Sequence, residues 1–168
     1  MSNKIPKSVT TVCVGNVCRS PVAEVLLREY TKRSKNSALH KINFDSAGLF
    51  GGKLELSDIS DEFVKEKGFN LTGFRSKMTT RRYLTQFDQI LVMERWHKEY
   101  ILKHYFCDTT KRKRRKIEGK MKTLSEAAGI DGDIIDPFTI EAKKFRKILN
   151  TIDYSCQKIV SQWEKACS

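Results

Sequence analysis

Short apolar runs alternate with segments of helical periodicity, and this alternation restricts the fold more than any other feature of the sequence. Strand-length runs occupy residues 9–13, 41–48 and 87–93, and a weaker one occupies residues 120–124. Apolar residues at helical spacing follow at residues 20–33, 57–68 and 94–105. Parallel strands need crossover connections of this kind, and runs this apolar suit burial on both faces. We therefore predict an α/β fold, a parallel sheet with helices on each side.

The longest periodic pattern lies near the end of the sequence and predicts a long helix. One face of this helix carries Phe145, Ile148, Leu149, Ile152, Cys156, Ile159, Val160 and Trp163. We interpret the stripe as core packing and not as a cofactor surface. Residues 1–168 are expected to form one domain, because a chain of this length can bury a substantial core. No apolar run approaches the length that spans a bilayer, so a cytoplasmic protein is expected.

Positive charge is the strongest bias in the composition. The formal net charge is +12, and six of the positive charges lie in the basic segment, residues 111–116 (KRKRRK). Such a charge favours phosphorylated substrates, nucleic acid or anionic lipid as partners. No aromatic residues interleave with the charges to form a stacking surface. We predict a solvated basic loop or insertion at about residues 107–119; specific contact with an acidic partner or an anionic surface stays open.

The five cysteines do not follow a metal-binding or disulfide pattern. Cys13 and Cys18 are too far apart in sequence for a C-x-x-C ligand pair, and Cys107, Cys156 and Cys167 are scattered. A zinc site and a disulfide scaffold are both disfavoured. We expect reduced thiols, one or two of them reactive.

The stretch CVGNVCRSP follows the first strand and opens the first helix. Ligands of parallel sheets bind beyond the carboxyl ends of the strands, where this loop lies. Backbone N–H groups of residues 14–19 can converge on an anion at the start of the helix. Gly15 is expected to relieve steric limits and Asn16 to tolerate a left-handed conformation. Arg19 supplies a planar fork that can hold two phosphate oxygens.

Cys13 would lie at the focus of this positive potential, which favours its thiolate. Ser20 can hydrogen-bond the sulfur, and we also expect it to cap the following helix, with Pro21 in the first turn. These features together indicate attack on phosphorus and a cysteinyl-phosphate. The alternative is that Cys13 is a small buried hydrophobic residue.

Protonation of the leaving oxygen requires an acid. The segment GDIIDPF offers Asp133 and Asp136, and Pro137 stiffens the backbone beside the second of them. The residues alone do not decide between a catalytic carboxyl and a solvated loop aspartate.

In the order in which they occur, VCVGNVCRSPVAE, DSAG, FDQILVM and DIIDPF resemble the landmarks of the low-molecular-weight protein tyrosine phosphatases. The resemblance spans nearly the whole chain. It implies a three-layer α/β/α structure with a four-stranded parallel sheet, similar to flavodoxin. It also implies two-step hydrolysis of phosphomonoesters, most directly phosphotyrosine in proteins, by a monomer without metal or cofactor.

The resemblance assigns roles residue by residue. Cys13 falls on the nucleophile, Arg19 on the group that binds phosphate and the transition state, and Asp136 on the general acid and base. Asn16 and Ser46 fall on positions that brace the loop, and Ser20 on the serine that supports the thiolate. Cys18 falls on a second cysteine able to form a protective disulfide with Cys13; a core cysteine beneath the loop is the alternative. The phosphate-binding loop as a whole comprises Val14, Gly15, Asn16, Val17, Cys18 and Ser20.

Departures from the family pattern concern the substrate more than the chemistry. Only Phe50 follows SAG as an aromatic candidate for the pocket wall, and Phe138 follows Asp-Pro, where it can contact a substrate ring or the core. Arginine phosphatases of the same fold resemble this loop but carry threonine at the position of Val17, which favours the tyrosine-type pocket here. Arsenate reductases need a further cysteine pair, and Cys107 has no such partner nearby in sequence.

A different class of function is a binding module that keeps the fold and contacts nucleic acid or lipid through its basic face, with little catalysis. The presence of Cys13, Arg19 and Asp136 together disfavours it.

Overall fold

A computed structural model describes residues 5–138 and 140–167. Four strands alternate with seven α-helices and a short 3₁₀ turn at Leu39–Lys41. The strands are β1 (Ser8–Cys13), β2 (Asn43–Gly48), β3 (Gln89–Val92) and β4 (Met121–Thr123). The helices are α1 (Arg19–Arg33), α2 (Asp58–Glu66), α3 (Arg81–Thr85), α4 (Arg95–Tyr105), α5 (Lys111–Glu118), α6 (Leu124–Ala128) and α7 (Ala142–Ala166).

The four strands form one parallel sheet in the order β2-β1-β3-β4, which confirms the predicted α/β class. Apolar side chains cover both of its faces, as a fully parallel sheet requires. On one face α1, α6 and α7 pack around Leu26, Leu91 and Leu149, and on the other α4 and α5 pack around Val92, Ile101 and Ile117. Because β1 has a neighbouring strand on each side, its carboxyl end lies at the middle of the row of carboxyl strand ends.

The apolar stripe near the end of the chain lies on α7, and its core interpretation is confirmed. Leu149, Ile152 and Cys156 are fully buried against α1. In the described part of the chain, no helix combines the length and apolarity that a bilayer crossing requires.

The basic segment was predicted as a loop, and this prediction is wrong: residues 111–118 form helix α5. Thr110 caps the helix by accepting a hydrogen bond from the Lys113 backbone N–H at 3.3 Å. Ile117 is buried in the core and fastens the helix to the sheet face. Lysine and arginine favour helix, but their uniform run gives no amphipathic pattern by which the helix could be recognised.

The start of α1 also differs from the prediction. The helix begins at Arg19, with Cys18 at the N-cap position and no side-chain cap. Ser20 therefore does not cap the helix. Ser20 is the second residue of the helix, and its hydroxyl contacts the loop that precedes the helix.

Candidate active site

The loop between β1 and α1 is held from one side by the chain that follows β2. The carbonyl oxygens of Cys13 and Val14 accept hydrogen bonds from the N–H groups of Leu49 and Phe50, each at 2.9 Å. The Ser57 N–H donates to the Val17 carbonyl at 2.8 Å. These bonds fix the loop path at three points, so its side chains are presented from a rigid frame.

The unusual backbone conformation of the loop falls on Asn16, which has φ 55° as predicted. Gly15 has no positive φ, and a Cβ there would meet only ordinary contact at 3.6 Å, so the predicted steric need at Gly15 is wrong. The close approach is instead at Gly48. A Cβ at Gly48 would lie 2.8 Å from the Val14 carbonyl oxygen and 2.9 Å from the Gly15 carbonyl carbon.

Cys13 is the last residue of β1, and its sulfur lies inside the loop. The Ser20 hydroxyl lies 3.0 Å from Sγ, and the Asn16 backbone N–H donates to Sγ at 3.3 Å. Both groups can stabilise negative charge on the sulfur. The side chain is nearly inaccessible, with 2% exposure, so any reacting group must enter the loop to reach it.

Asn16 and Ser46 meet in a buried hydrogen-bond network beneath the loop. The Asn16 Nδ2 group donates to the hydroxyls of Ser20 at 3.0 Å and Ser46 at 2.9 Å. The Ser46 hydroxyl in turn donates to Glu24 Oε2 at 2.7 Å. Burial raises the pKa of the Glu24 carboxyl, and the Ser46 hydrogen bond and Arg28 partly oppose that rise. The network connects the loop to α1 and to β2.

Arg19 is buried, with 1% exposure, and two carboxylates hold its guanidinium. Nη1 contacts Glu94 Oε1 at 2.6 Å and the Ile134 carbonyl oxygen at 2.8 Å. Nη2 contacts Asp136 Oδ2 at 2.6 Å. The orientation of the guanidinium is therefore set from the ends of two other loops, after β3 and before α7.

Asp136 is the partly exposed member of this group, at 38%, whereas Glu94 is 16% exposed. The Phe138 backbone N–H donates to Asp136 Oδ1 at 3.1 Å and fixes the carboxyl rotamer. Asp133, the other candidate from the sequence, pairs with Arg95 at 3.3 Å and does not contact Arg19. The structure thus brings Asp136, and not Asp133, into the Cys13–Arg19 site.

Sequence reasoning missed Glu94 and His97. Glu94 is the N-cap residue of α4, and its backbone N–H donates to His97 Nδ1 at 3.3 Å. The proton of the neutral ring is therefore on Nε2, which lies 3.6 Å from Glu94 Oε1 and has no hydrogen-bond partner among the described residues. The only signal in the sequence was a glutamate directly after a buried strand.

His97 gives a testable pH dependence of stability. Its side chain is fully buried, and burial together with the nearby Arg19 charge lowers its pKa to about 3. The pKa of this histidine in the unfolded chain is about 6.5, so between pH 6.5 and the folded pKa the unfolded chain binds a proton that the folded chain does not. The contribution of His97 to stability is therefore complete above about pH 6.5 and is lost as the pH falls below it. We expect protonation of His97 in the unfolded chain to lower the free energy of unfolding by about 2 kcal/mol when the pH falls from 7.5 to 5.

Denaturant unfolding of wild type, His97→Gln and His104→Gln at both pH values measures this cost. His97→Gln should lose this pH dependence, whereas the exposed His104 gives a matched histidine control. If His97→Gln does not fold, the ring signals of the wild type report the same quantity by NMR. A His97 ring that titrates near the ordinary histidine value would contradict the expectation.

Cys18 lies in the core beside the loop, with 8% exposure. Burial is the main cause that raises the pKa of its thiol, and a hydrogen bond with Ser57 opposes it. All five cysteines are free thiols. The disulfide between Cys13 and Cys18 that the resemblance implies stays a prediction.

Exposed aromatic side chains occur on the three chain segments that contribute Phe50, Glu94 and Asp136. Phe50, whose N–H bonds the loop, packs edge-on against Tyr100 with ring centroids 5.0 Å apart, and Trp96 packs against the same tyrosine at 6.4 Å. Phe50 and Trp96 are 42% and 40% exposed, and Phe138, beyond Asp136, is 83% exposed. Phe138 thus does not pack in the core, which was one of its two predicted roles.

Taken together, the site holds a sulfur that can carry negative charge, a fixed guanidinium and a half-exposed carboxyl that contacts it. A nucleophile, an anion-binding group and a proton donor within one rigid loop cluster are what cysteine-dependent phosphoryl transfer requires. The geometry therefore defines a phosphatase class of site.

Comparison with known proteins gives the family. The family model described as "Low molecular weight phosphotyrosine protein phosphatase" matches residues 8–168. The chain belongs to this family of phosphatases.

Individual relatives carry two kinds of name. A protein-arginine-phosphatase of Geobacillus stearothermophilus is 30% identical over 136 residues, 80% of each chain. The low molecular weight protein-tyrosine-phosphatase Wzb of Escherichia coli K12 is 28% identical over 162 residues, 95% of this chain and 94% of Wzb. Among solved structures, the G. stearothermophilus arginine phosphatase YwlE superposes with a TM-score of 0.77 at 26% identity, covering 95% of this chain and 94% of that one.

Proposed function

We propose that this phosphatase hydrolyses phosphotyrosine in proteins through a cysteinyl-phosphate on Cys13. The observation that carries the proposal is the joint placement of Cys13, Arg19 and Asp136. The sulfur lies inside the loop, and the guanidinium of the same loop reaches the Asp136 carboxyl at 2.6 Å. Arg19 is already oriented, so little reorganisation is needed when phosphate binds.

In the first step the Cys13 thiolate attacks phosphorus, the S–P bond forms and the P–O bond to tyrosine breaks. Arg19 and the backbone N–H groups of residues 14–19 hold the equatorial oxygens. The phosphate takes over the Arg19 hydrogen bond that Asp136 accepts in the free enzyme. The released carboxylate takes up a proton from solvent and, as the neutral acid, donates it to the leaving phenoxide. Ser20 stabilises the negative charge of the sulfur before the attack and again when the thiolate is released from phosphorus.

In the second step Asp136 accepts a proton from water, which attacks the cysteinyl-phosphate. The S–P bond breaks, inorganic phosphate leaves and the thiolate returns. Glu94 stays on Arg19 through both steps, because it is the less exposed of the two carboxylates. The chemistry needs a reduced thiol, which fits the expected cytoplasmic location.

The preference for tyrosine rests on the apolar character of the entrance. Phe50, Trp96 and Phe138 offer exposed ring surface to a substrate ring. Val17 supports the same choice, since its side chain gives no hydrogen bond to the extra N–H groups of phosphoarginine, which would then be desolvated without a partner. The names of several relatives make phosphoarginine the second candidate substrate.

Initial rates on a phosphotyrosine peptide, a phosphoarginine peptide, p-nitrophenyl phosphate and arsenate with thiols test the proposal. We expect kcat/KM for phosphotyrosine to exceed that for phosphoarginine by roughly 10²-fold, which is the discrimination that an apolar pocket gives against a more polar substrate. Val17→Thr should lower the ratio of kcat/KM for phosphotyrosine to kcat/KM for phosphoarginine, and Val17→Ile should leave this ratio unchanged. A preference of the wild type for phosphoarginine would contradict the substrate assignment while leaving the phosphatase mechanism intact.

A further inference from the structure

Helix α5 presents five cations to solvent on one continuous arc. At 3.6 residues per turn, the exposed residues cover about 200° of the helix circumference. These residues, which we call the α5 cations, are Lys111, Arg112, Lys113, Arg115 and Lys116.

None of the α5 cations makes an ion pair or side-chain hydrogen bond within the described residues. Several surface cations elsewhere have carboxylate partners: Lys65 with Asp61, Lys77 with Asp45, Arg81 with Asp108 and Arg146 with Glu66. The α5 cations also repel one another at i,i+3 and i,i+4 spacing. Three of them begin the helix, where its dipole disfavours positive charge and no acidic residue compensates. An external anion would relieve both costs.

The helix is nevertheless fixed in place. Arg114 is turned inward and donates to the Leu102 carbonyl oxygen of α4 at 3.1 Å, and Ile117 is 3% exposed in the core. The α5 cations are therefore carried on a rigid, convex surface and not on a loop that could adapt to any partner.

The position of α5 separates it from the phosphatase site. Its C-terminal end leads into Lys120, whose Nζ donates to the Phe87 carbonyl oxygen and whose own carbonyl accepts from Ile90 N–H. These contacts lie at the amino end of β3, whereas Cys13 lies at the carboxyl end of the parallel strand beside it. A cleft at the same edge carries four more lysines: Lys7, Lys120, Lys122 and Lys165. A short phosphopeptide bound at Cys13 would therefore not extend to the amino ends of the strands, where α5 ends.

We propose that the α5 cations bind the phosphate backbone of double-stranded DNA, independently of catalysis. Cations on both flanks and on the crown of a helix can contact two phosphate walls at once, and a major groove about 12 Å wide admits a helix between them. A flat anionic bilayer would contact the crown, Arg112 and Lys116, and leave the flanks at Lys111 and Lys113 unused. The helix exposes no apolar side chain for insertion into lipid. Phosphate contacts carry no sequence information, so the binding we propose is independent of sequence.

Fluorescence anisotropy with a labelled DNA duplex of about two helical turns tests the proposal. The test variant changes all five α5 cations to Gln, which keeps helix propensity. The matched control changes five unpaired, exposed lysines elsewhere to Gln: Lys35, Lys41, Lys143, Lys147 and Lys158. Both variants have the same net charge, so a difference between them reports the site and not the overall charge.

We expect the wild type to bind duplex at low salt with a log–log salt slope of about −4 to −5, as five phosphate contacts imply. The α5 variant should bind at least about 30-fold more weakly with a slope near zero, and the control should stay near wild type. Hydrolysis of p-nitrophenyl phosphate should be equal in all three proteins. Equal weakening in both variants, or stronger α5-dependent binding to phosphatidylserine vesicles or polyglutamate than to duplex, would overturn the proposal.

Discussion

Replacing Cys13 by serine is expected to lower kcat for p-nitrophenyl phosphate and phosphotyrosine peptides by roughly 10⁴-fold or more, the scale of losses seen when a nucleophile is removed. The serine hydroxyl is a far weaker nucleophile than a thiolate, and among the described residues no base contacts Sγ in the way a histidine activates a serine protease. Ser20 and the Asn16 N–H, which contact Sγ, are hydrogen-bonding groups that stabilise an existing anion.

The same variant should still bind inorganic phosphate. Arg19 and its two carboxylates do not depend on the sulfur, so the anion-binding part of the site stays in place. Calorimetry with phosphate measures this binding, and steady-state rates measure the loss of turnover. Cys107→Ser is the control, since that cysteine is exposed and free. Turnover above a few per cent in Cys13→Ser, with Cys107→Ser normal, would exclude Cys13 as the nucleophile.

The fold could be predicted because each main strand is an apolar run and each main crossover helix has a periodic stripe. The hydrophobic pattern did not reveal helices that are very short or that consist almost entirely of charged residues. Helices α3 and α6 have five residues each, less than two turns, and carry no measurable period. Helix α5 has one apolar residue, Ile117, among charges, so only the tertiary contact of Ile117 with the sheet face distinguishes it from a solvated loop.

The site was predictable to the extent that it is local. The loop from Cys13 to Ser20 occupies consecutive residues, and its chemistry could be inferred from their order. The carboxylates on Arg19 come from Glu94 and Asp136, which are 75 and 117 residues away in the chain. Only the parallel arrangement of the strands brings the loops that carry Glu94 and Asp136 to the carboxyl ends of the strands, beside Arg19. Proline beside Asp136 gave a local hint, whereas Glu94 had none beyond following a strand, and the buried His97 beneath it had none.

Asp136→Asn gives the second large effect, and its size should depend on the leaving group. A general acid contributes about 10²–10⁴-fold when the leaving oxygen is basic. Tyrosine phenoxide is basic and needs the proton, whereas p-nitrophenoxide leaves readily without it. We expect kcat on a phosphotyrosine peptide to fall by roughly 10²- to 10³-fold and kcat on p-nitrophenyl phosphate to fall markedly less.

The choice of asparagine keeps this prediction specific for proton transfer. Asparagine matches the carboxyl in size, and its amide oxygen can still accept from Arg19 Nη2. The Phe138 N–H donates to the other carboxylate oxygen and loses that acceptor, so one loop contact is lost together with the transferable proton. Asp133→Asn is the matched control, because Asp133 is in the same loop but pairs with Arg95 outside the site. A series of aryl phosphates with leaving groups of increasing basicity measures the effect as the slope of log kcat against leaving-group basicity, which should be steeper for Asp136→Asn than for the wild type. If Asp136→Asn lowers all rates by one common factor, the carboxylate acts by orienting Arg19, and the proton must come from another group.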